Sequence, residues 1–432
     1  MLSDTVLESA SRLCGAADVG GTPAYVYDMD VVRQRMLVLR ELFGRCFGVS
    51  YAVKANPNIE VLRRLLPLMD TFDVSSLKEA ERALEAGCPA DRISFSGPAK
   101  QEREIRAAVA LGVGELVLES LDEAEIAAAA AAELGVRQPV LLRINPIRVP
   151  RQFGVQMAGK PSQFGIDEEE LEAAIDGLMT LPHLELVGFH IYSGTNSIRA
   201  EAIEENFGIF VDLFRRACGY ADLRPRKLIF GSGFGLAYTE GETPLDVGAV
   251  ADAVLPLIDA LKAEPRFAQT TCLLEMGRWI VGPAGWLLTR VVREKLSRGV
   301  EFRMCDAGFN NHLAACGMMG TVIRRNWRFL NVTSPEVASG IVTLVGPLCT
   351  SIDVLASNLS LPAPRMGDVL AVCNSGAYGL TASPTRFISH PEPREMLLDG
   401  VDLIDVTESA LNHWQLPPTT PEGVEQNLDA GR

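Results

Sequence analysis

At 432 residues the chain is too long for one ordinary small domain and suggests two or three, with a hydrophobic fraction of 47% to fill their cores. Asp and Glu number 55 against 40 Lys and Arg, for a formal net charge of -15. That balance argues against a broad surface for nucleic acid or anionic membrane, yet leaves room for a local basic pocket that holds phosphate.

Met1-Leu2-Ser3-Asp4 lacks the basic region and apolar core of a signal peptide, and no apolar run is long enough to span a membrane. Nine scattered cysteines, an odd count without a CxxC pair, are read as mostly reduced thiols of a cytoplasmic protein. Five histidines with no HExxH and no Cys/His cluster predict no dedicated metal site.

From about residue 46, short apolar segments alternate with longer charged ones. Strands are expected over 46–52, 72–74, 93–96, 116–119, 140–144, 186–192, 227–231 and 272–275. Most intervals have room for a helix. Ser76-Leu77-Lys78-Glu79 and Ser120-Leu121-Asp122-Glu123 have capping-box spacing, and Gly87 and Gly135 stand where the helices they open should stop. The alanine run from Ala127 to Ala132 is a helix interior. Eight strands predict a closed (β/α)8 barrel over 27–280, with an open doubly wound sheet as the alternative. The barrel is favoured because the chemically interesting residues fall at C-terminal strand ends, the face on which that fold builds its sites.

After about residue 280 the rhythm changes. Segments 281–293, 301–306, 340–345, 352–358 and 368–373 read as strands, with a short helical stretch near 311–317. They predict a second, β-rich domain over 281–410, completed by residues 1–26. A short helix is expected from Glu408, and 411–432 is read as a polar, flexible tail.

Lys54 follows the first barrel strand in Tyr51-Ala52-Val53-Lys54-Ala55-Asn56-Pro57. An amine at a barrel mouth suits a Schiff base, provided it is neutral, so burial that lowers its pKa helps. Pyridoxal phosphate would further need phosphate donors, a group at the pyridine nitrogen and support for the ring face. Gly231-Ser232-Gly233-Phe234-Gly235 directly follows a strand, and its bare glycines let phosphate approach backbone N–H groups, although such a cluster also makes a plain turn. In Glu275-Met276-Gly277-Arg278, the glutamate would keep a pyridine nitrogen protonated and Arg278 would reach phosphate or a substrate carboxylate; a buried ion pair is the alternative. His190 and Tyr192 share a strand face, so one would cover the cofactor ring and the other orient it, unless the two simply pack together. Arg143 needs an acidic partner, with Asp73 or Glu79 as the candidates. In the second domain, Cys349 is a possible proton donor or a packed thiol, Asp353 would orient a loop or pair across a subunit boundary, and Tyr378 sits in a glycine-flanked turn.

Taken together, these separated motifs resemble the fold-type III pyridoxal-phosphate decarboxylases, the group of diaminopimelate and ornithine decarboxylases, over roughly residues 23–410. The resemblance implies an alanine-racemase-like barrel with a C-terminal β domain, and Lys54 as the Schiff-base lysine. Gly231 to Gly233, Gly277, Arg278 and Tyr378 would hold phosphate, and Glu275 would pair with the pyridine nitrogen. Cys349 would come from the second subunit of a head-to-tail homodimer and protonate Cα. Asp73, Arg143, His190, Tyr192, Thr195 and Ser232 complete the expected cofactor surroundings. Arg278, Thr350, Asp353 and Tyr378 are the expected substrate contacts.

Three departures weaken diaminopimelate, lysine and ornithine as substrates. Tyr192 takes the place of the family's stacking histidine. Asp306-Ala307-Gly308-Phe309-Asn310-Asn311 runs into His312-Leu313-Ala314-Ala315-Cys316-Gly317 without the arginine and tyrosine that bind a distal substrate end. Thr350 replaces the acid next to the catalytic cysteine. An unpaired buried charge is costly, so such losses change substrate more readily than chemistry. Phe189-His190-Ile191-Tyr192-Ser193-Gly194 and Asn374-Ser375-Gly376-Ala377-Tyr378-Gly379 are most similar to a biosynthetic subgroup. That subgroup includes exosortase-associated enzymes and decarboxylases of glutamyl groups on an acyl-carrier protein. The expected activity is decarboxylation of the α-carboxylate of an amino acid or derivative, free or carrier-bound. The alternatives are diaminopimelate decarboxylation and a racemase or epimerase on the same fold.

Overall fold

The computed structural model describes residues 4–150, 153, 155–318 and 325–408. Eight parallel strands close a barrel: Phe47–Ala52, Thr71–Val74, Ile93–Phe95, Glu115–Leu118, Gln138–Asn145, Leu184–Ile191, Lys227–Gly231 and Thr271–Met276. Closure comes from the last strand pairing with the first, Cys272 opposite Phe47 and Glu275 opposite Ser50. Every expected barrel strand is present, and the open sheet is ruled out.

Because side chains alternate across a strand, a barrel strand divides its residues between the lumen and the helical layer. Val117, Leu141, Val187, Ile229 and Leu273 form a small apolar cluster of their own, separate from the main core, and plug the lumen. Two residues further along their strands stand Glu119, Arg143, Gly231 and Glu275, which places them at the C-terminal mouth.

Ser76 and Ser120 cap their helices, accepting from the N–H groups of Glu79 and Glu123. The returning carboxylates land one residue earlier than a capping box predicts: Ser75 donates its N–H to Glu79 Oε2 at 2.7 Å, and Glu119 donates to Glu123 Oε2 at 2.9 Å. Both donors directly follow a barrel strand, so the caps also fix the mouth. Gly135 ends its helix with φ 66°, and Gly87 follows its helix end by two residues with φ 96°.

A second sheet takes Gly285–Ser297 as its long central strand, antiparallel to Ala24–Asp28, Val300–Cys305 and Val369–Val372. The strands Ser339–Val345 and Val354–Pro362 extend one side, and Arg394–Asp399 with Asp402–Asp405 the other. Two expectations fail here, for the strand from 281 and the helix near 311–317, and two features were not foreseen. The strand expected from residue 281 starts at Gly285, because Arg278–Val281 and Gly282–Ala284 are helical turns. Residues 311–317 form turns rather than a helix. The N-terminal segment is chiefly a helix, Asp4–Gly20, that lays Ala10, Leu13, Ala16 and Ala17 on the sheet. Phe329–Asn331, Arg394–Asp399 and Asp402–Asp405 are strands that the pattern did not reveal. The helix expected from Glu408 and the tail 411–432 lie outside the described residues. Among the described residues no helix is long and apolar enough to cross a membrane.

Where Ala24–Asp28 pairs with Arg394–Asp399, Tyr27 donates its hydroxyl to Glu395 at 2.8 Å. Burial pushes the Glu395 carboxyl up to about 7 from an ordinary 4.5. Its folded pKa is raised, so its stabilising contribution is complete below the ordinary value and is lost as pH rises to about 7. Glu395→Gln keeps an acceptor for Tyr27 and cannot ionise. Denaturation at several pH values is expected to show the variant escaping about 3 kcal/mol of the loss that the parent suffers over this window. Parallel profiles for parent and variant would refute this.

Candidate active site

Lys54 occupies a single 3-10 turn, Val53–Ala55, at the C-terminal end of the first strand. Its ammonium lies 3.8 Å from Asp73 Oδ2 and 3.5 Å from Ser75 Oγ, and the side chain is 40% exposed. Burial draws the ammonium down, but the charges of Asp73 and Glu275 outweigh it and hold Lys54 above the ordinary lysine range. The expectation of a pKa lowered by burial is thus overturned: two carboxylates converge on one amine.

Those carboxylates differ. Asp73 is 2% exposed, and burial followed by the charge of Glu275 pushes it above the ordinary aspartate value, against the pull of Lys54. Glu275, equally buried, is brought to about 2 because His190, Lys54 and Arg143 together overcome its burial. His190 Nε2 meets Glu275 Oε2 at 2.6 Å. The histidine therefore belongs to the carboxylate rather than pairing with Tyr192. Tyr192 takes the other position of that face, its ring centroid 5.9 Å from the Lys54 amine. Burial raises its phenol to about 12, so it stays neutral, and the Thr195 side chain hydrogen bonds to it.

Glycine is required around the mouth on steric grounds. A Cβ on Gly231 would stand 2.4 Å from the Tyr192 ring, one on Gly233 2.3 Å from Phe153, and one on Gly277 2.5 Å from Ala55. Ser232 is buried and donates its N–H to Glu275 O at 3.1 Å, tying the glycine turn to the last strand. Arg278 donates to the Tyr238 hydroxyl at 2.7 Å and lies 4.8 Å from the Tyr378 ring centroid, with its Nε buried and, among the described residues, unpartnered. Tyr378, at φ 56°, donates its N–H to Ala55 O at 2.9 Å, which brings the second sheet's loop onto the lysine turn.

The partner of Arg143 is neither Asp73 nor Glu79 but Glu119, at 2.8 Å. Glu119 also accepts from the N–H groups of Gly97 and Gly165, and so joins three loops at the mouth. Glu79 serves its helix cap. Asp353 accepts from the N–H groups of Phe309 and Leu348, both at 2.8 Å. It therefore orients the loops that carry Phe309 and Leu348. Cys349 is exposed, in a turn with Thr350, and among the described residues no contact joins that turn to Lys54, Glu275 or Tyr378. Sequence reasoning missed Glu119, Ser75 and Tyr238. A carboxylate at a strand end opposite an arginine was the one available signal, for Glu119.

An amine between two carboxylates, a glycine-lined mouth and an arginine beside it match a known plan. Residues 29–282 match the family model for the pyridoxal binding domain of pyridoxal-dependent decarboxylases. The chain belongs to that family. The L-glutamyl-[BtrI acyl-carrier protein] decarboxylase of Niallia circulans is 33% identical over 380 residues, 87% of this chain and 88% of that one. The diaminopimelate decarboxylase of Pseudomonas aeruginosa is 32% identical over 389 residues, 88% of each. The crystal structure of Helicobacter pylori diaminopimelate decarboxylase complexed with L-lysine superposes with a TM-score of 0.80 at 28% identity, covering 90% of this chain and 94% of that one.

The residues present fit the cofactor of this decarboxylase family. Gly231, Gly233 and Gly277 are places where a Cβ would close the cradle, Arg278 has an unused buried N–H, and Glu275 is a buried anion able to face a pyridine nitrogen.

Proposed function

We propose that this decarboxylase removes the α-carboxylate of an amino acid joined through its side chain to an acyl-carrier protein, with active sites completed across a homodimer. The observation that carries the substrate reading is the uncharged segment where family members bind a distal charge. Asn311 accepts from the Gly308 N–H and gives its carbonyl to the Tyr25 hydroxyl. His312 is fully buried against Trp327 and Ser375, and burial brings its imidazole down to about 3, so it stays neutral. Ala314 and Thr350 bring no charge either. A free distal carboxylate or ammonium would be left unpaired here, whereas a thioester or amide would not. The relationship to a glutamyl-carrier decarboxylase supports the same reading.

Pyridoxal phosphate, when bound, supplies an aldehyde that joins an amine and a pyridinium that takes up the electron pair left as CO2 departs. Lys54 would hold the group by its aldehyde, while Gly231, Gly233, Gly277 and Arg278 would receive the phosphate. Glu275, fixed by His190, keeps the proton on the pyridine nitrogen. That proton favours loss of CO2 over racemisation, for which a strongly protonated pyridine is unsuited. Tyr192 would cover the ring face and, being neutral, would add no charge of its own. Cys349 of a second copy returns a proton to Cα.

Incubating the pyridoxal-loaded protein with free and carrier-linked amino acids, and following CO2 and product mass, tests the substrate. Turnover of free diaminopimelate in preference to every carrier-linked amino acid would overturn it. The shared site is tested by mixing Lys54→Ala with Cys349→Ala after dissociation. The two impaired variants are expected to recover about a quarter of parental activity, because half the dimers are mixed and each has one intact site. No recovery would place Cys349 outside the shared site.

A further inference from the structure

Beneath Lys54, the lumen contains a set of polar atoms that the catalytic reading does not use. Strand register fixes their placement. Ser50 lies opposite both Glu275 and Thr71, and Asp73, two residues beyond Thr71, lies opposite Ser94. Directly paired residues of parallel strands point to the same face, so all of these share the lumen with Glu275. His190 enters the same layer from the other side, opposite Arg143 and Ile229.

Ser50, Thr71, Asp73, Ser94 and His190 are all at least nine-tenths buried. Ser50 Oγ, Thr71 Oγ1, Ser94 Oγ and His190 Nδ1 nevertheless have no hydrogen-bond partner among the described residues. An orphaned buried polar atom is costly, and native interiors rarely tolerate several together. The requirement at His190 is especially firm. Its Nε2 is committed to Glu275 at 2.6 Å, so Nδ1 needs a donor if it is neutral and an acceptor if it is charged. Water meets either need. Ser and Thr are also among the smallest polar side chains, and on this side of the lumen they replace the branched residues that plug the other.

We propose that the lumen beneath Lys54 binds a cluster of ordered water molecules, held by Ser50, Thr71, Ser94 and Asp73 and reaching His190 Nδ1, through which Asp73 exchanges protons with the His190–Glu275 pair. The inference rests on the cofactor site described above and adds the proton path behind it. Lys54 and Glu79 face the cluster's Asp73 end, Arg143 the Glu275 end, and Tyr192 lies above both. The path lets the pair adjust its charge without opening the barrel to solvent. His190 and the hydroxyls thereby act as positioning residues for Glu275.

The first readout is a crystal structure of the pyridoxal-loaded parent at a resolution that shows waters. Water within hydrogen-bond distance of His190 Nδ1 and of at least two of the three hydroxyls is expected. A dry lumen, or a direct protein partner for Nδ1, overturns the proposal. The second readout is the pH titration of the bound cofactor's absorbance in Thr71→Val/Ser94→Ala, which removes two hydroxyls without touching Lys54 or Glu275. Its midpoint is expected to move by about one pH unit, a tenfold change in proton affinity. A titration superimposable on the parent's would also overturn the proposal. Should the double variant not fold, Ser94→Ala alone serves the same comparison. A protein that binds no pyridoxal phosphate would refute the cofactor site instead, and the lumen waters remain readable in cofactor-free crystals.

Discussion

Lys54→Ala is expected to lose the visible absorbance of bound pyridoxal phosphate and to release CO2 at about a thousandth of the parental rate or less. The amine is the one nucleophile set between Asp73 and Glu275, with no lysine nearby to replace it among the described residues. Its effect on folding should be small. The two contacts of Nζ are long, 3.8 Å to Asp73 and 3.5 Å to Ser75, and the side chain is 40% exposed. The variant should therefore melt close to the parent while lacking the chromophore. An unchanged cofactor spectrum would remove Lys54 from its role, and a collapse in stability would make the activity loss uninformative.

The barrel and its lysine were legible because each depends on short-range order. Apolar segments a helix-length apart set the strands, and Lys54, Gly231, Gly233 and Glu275 each lie at or just after the end of one. The residues that tune the site were far less visible. Arg143 meets Glu119 only because neighbouring strands bring them together, and Glu79, the acid that sequence spacing favours, is held by a helix cap. His190 and Tyr192 are two residues apart on one strand, yet one reaches down to Glu275 and the other lies beside Lys54. Periodicity gives their common face but not their depth. In the second sheet, Arg394–Asp399 pairs with Ala24–Asp28 across almost the whole chain. A contact of that separation leaves no local mark. The N-terminal helix is legible by composition alone only if its sheet partner is already known, since its apolar face is built largely of alanine.

The Glu119–Arg143 pair predicts the largest change in stability. Both side chains are almost fully buried, at 2% and 6% exposure. Taking away one partner of such a pair strands the other charge in a medium that solvates it poorly, at a cost of about 3–5 kcal/mol. Arg143→Met should therefore lower unfolding stability by about that amount near neutral pH, as chemical denaturation would measure. The penalty should depend on pH with a definite sign. Burial pushes the Glu119 carboxyl up, but Arg143, Lys100 and the Gly165 N–H bring it below the ordinary value. A depressed carboxyl contributes stability that is present above the unfolded pKa and lost as pH falls through the folded one. Without Arg143 that contribution shrinks, so parent and variant should converge as acid protonates Glu119. Adding Glu119→Gln removes the stranded charge, and the double variant should recover much of the loss. The loops at the mouth would respond together, because Glu119 also holds Gly97 and Gly165, and Arg143 rests 4.7 Å from the Phe164 ring. A penalty below about 1 kcal/mol, or one that does not shrink in acid, would mean that water already reaches Glu119 and that the pair does not organise the mouth.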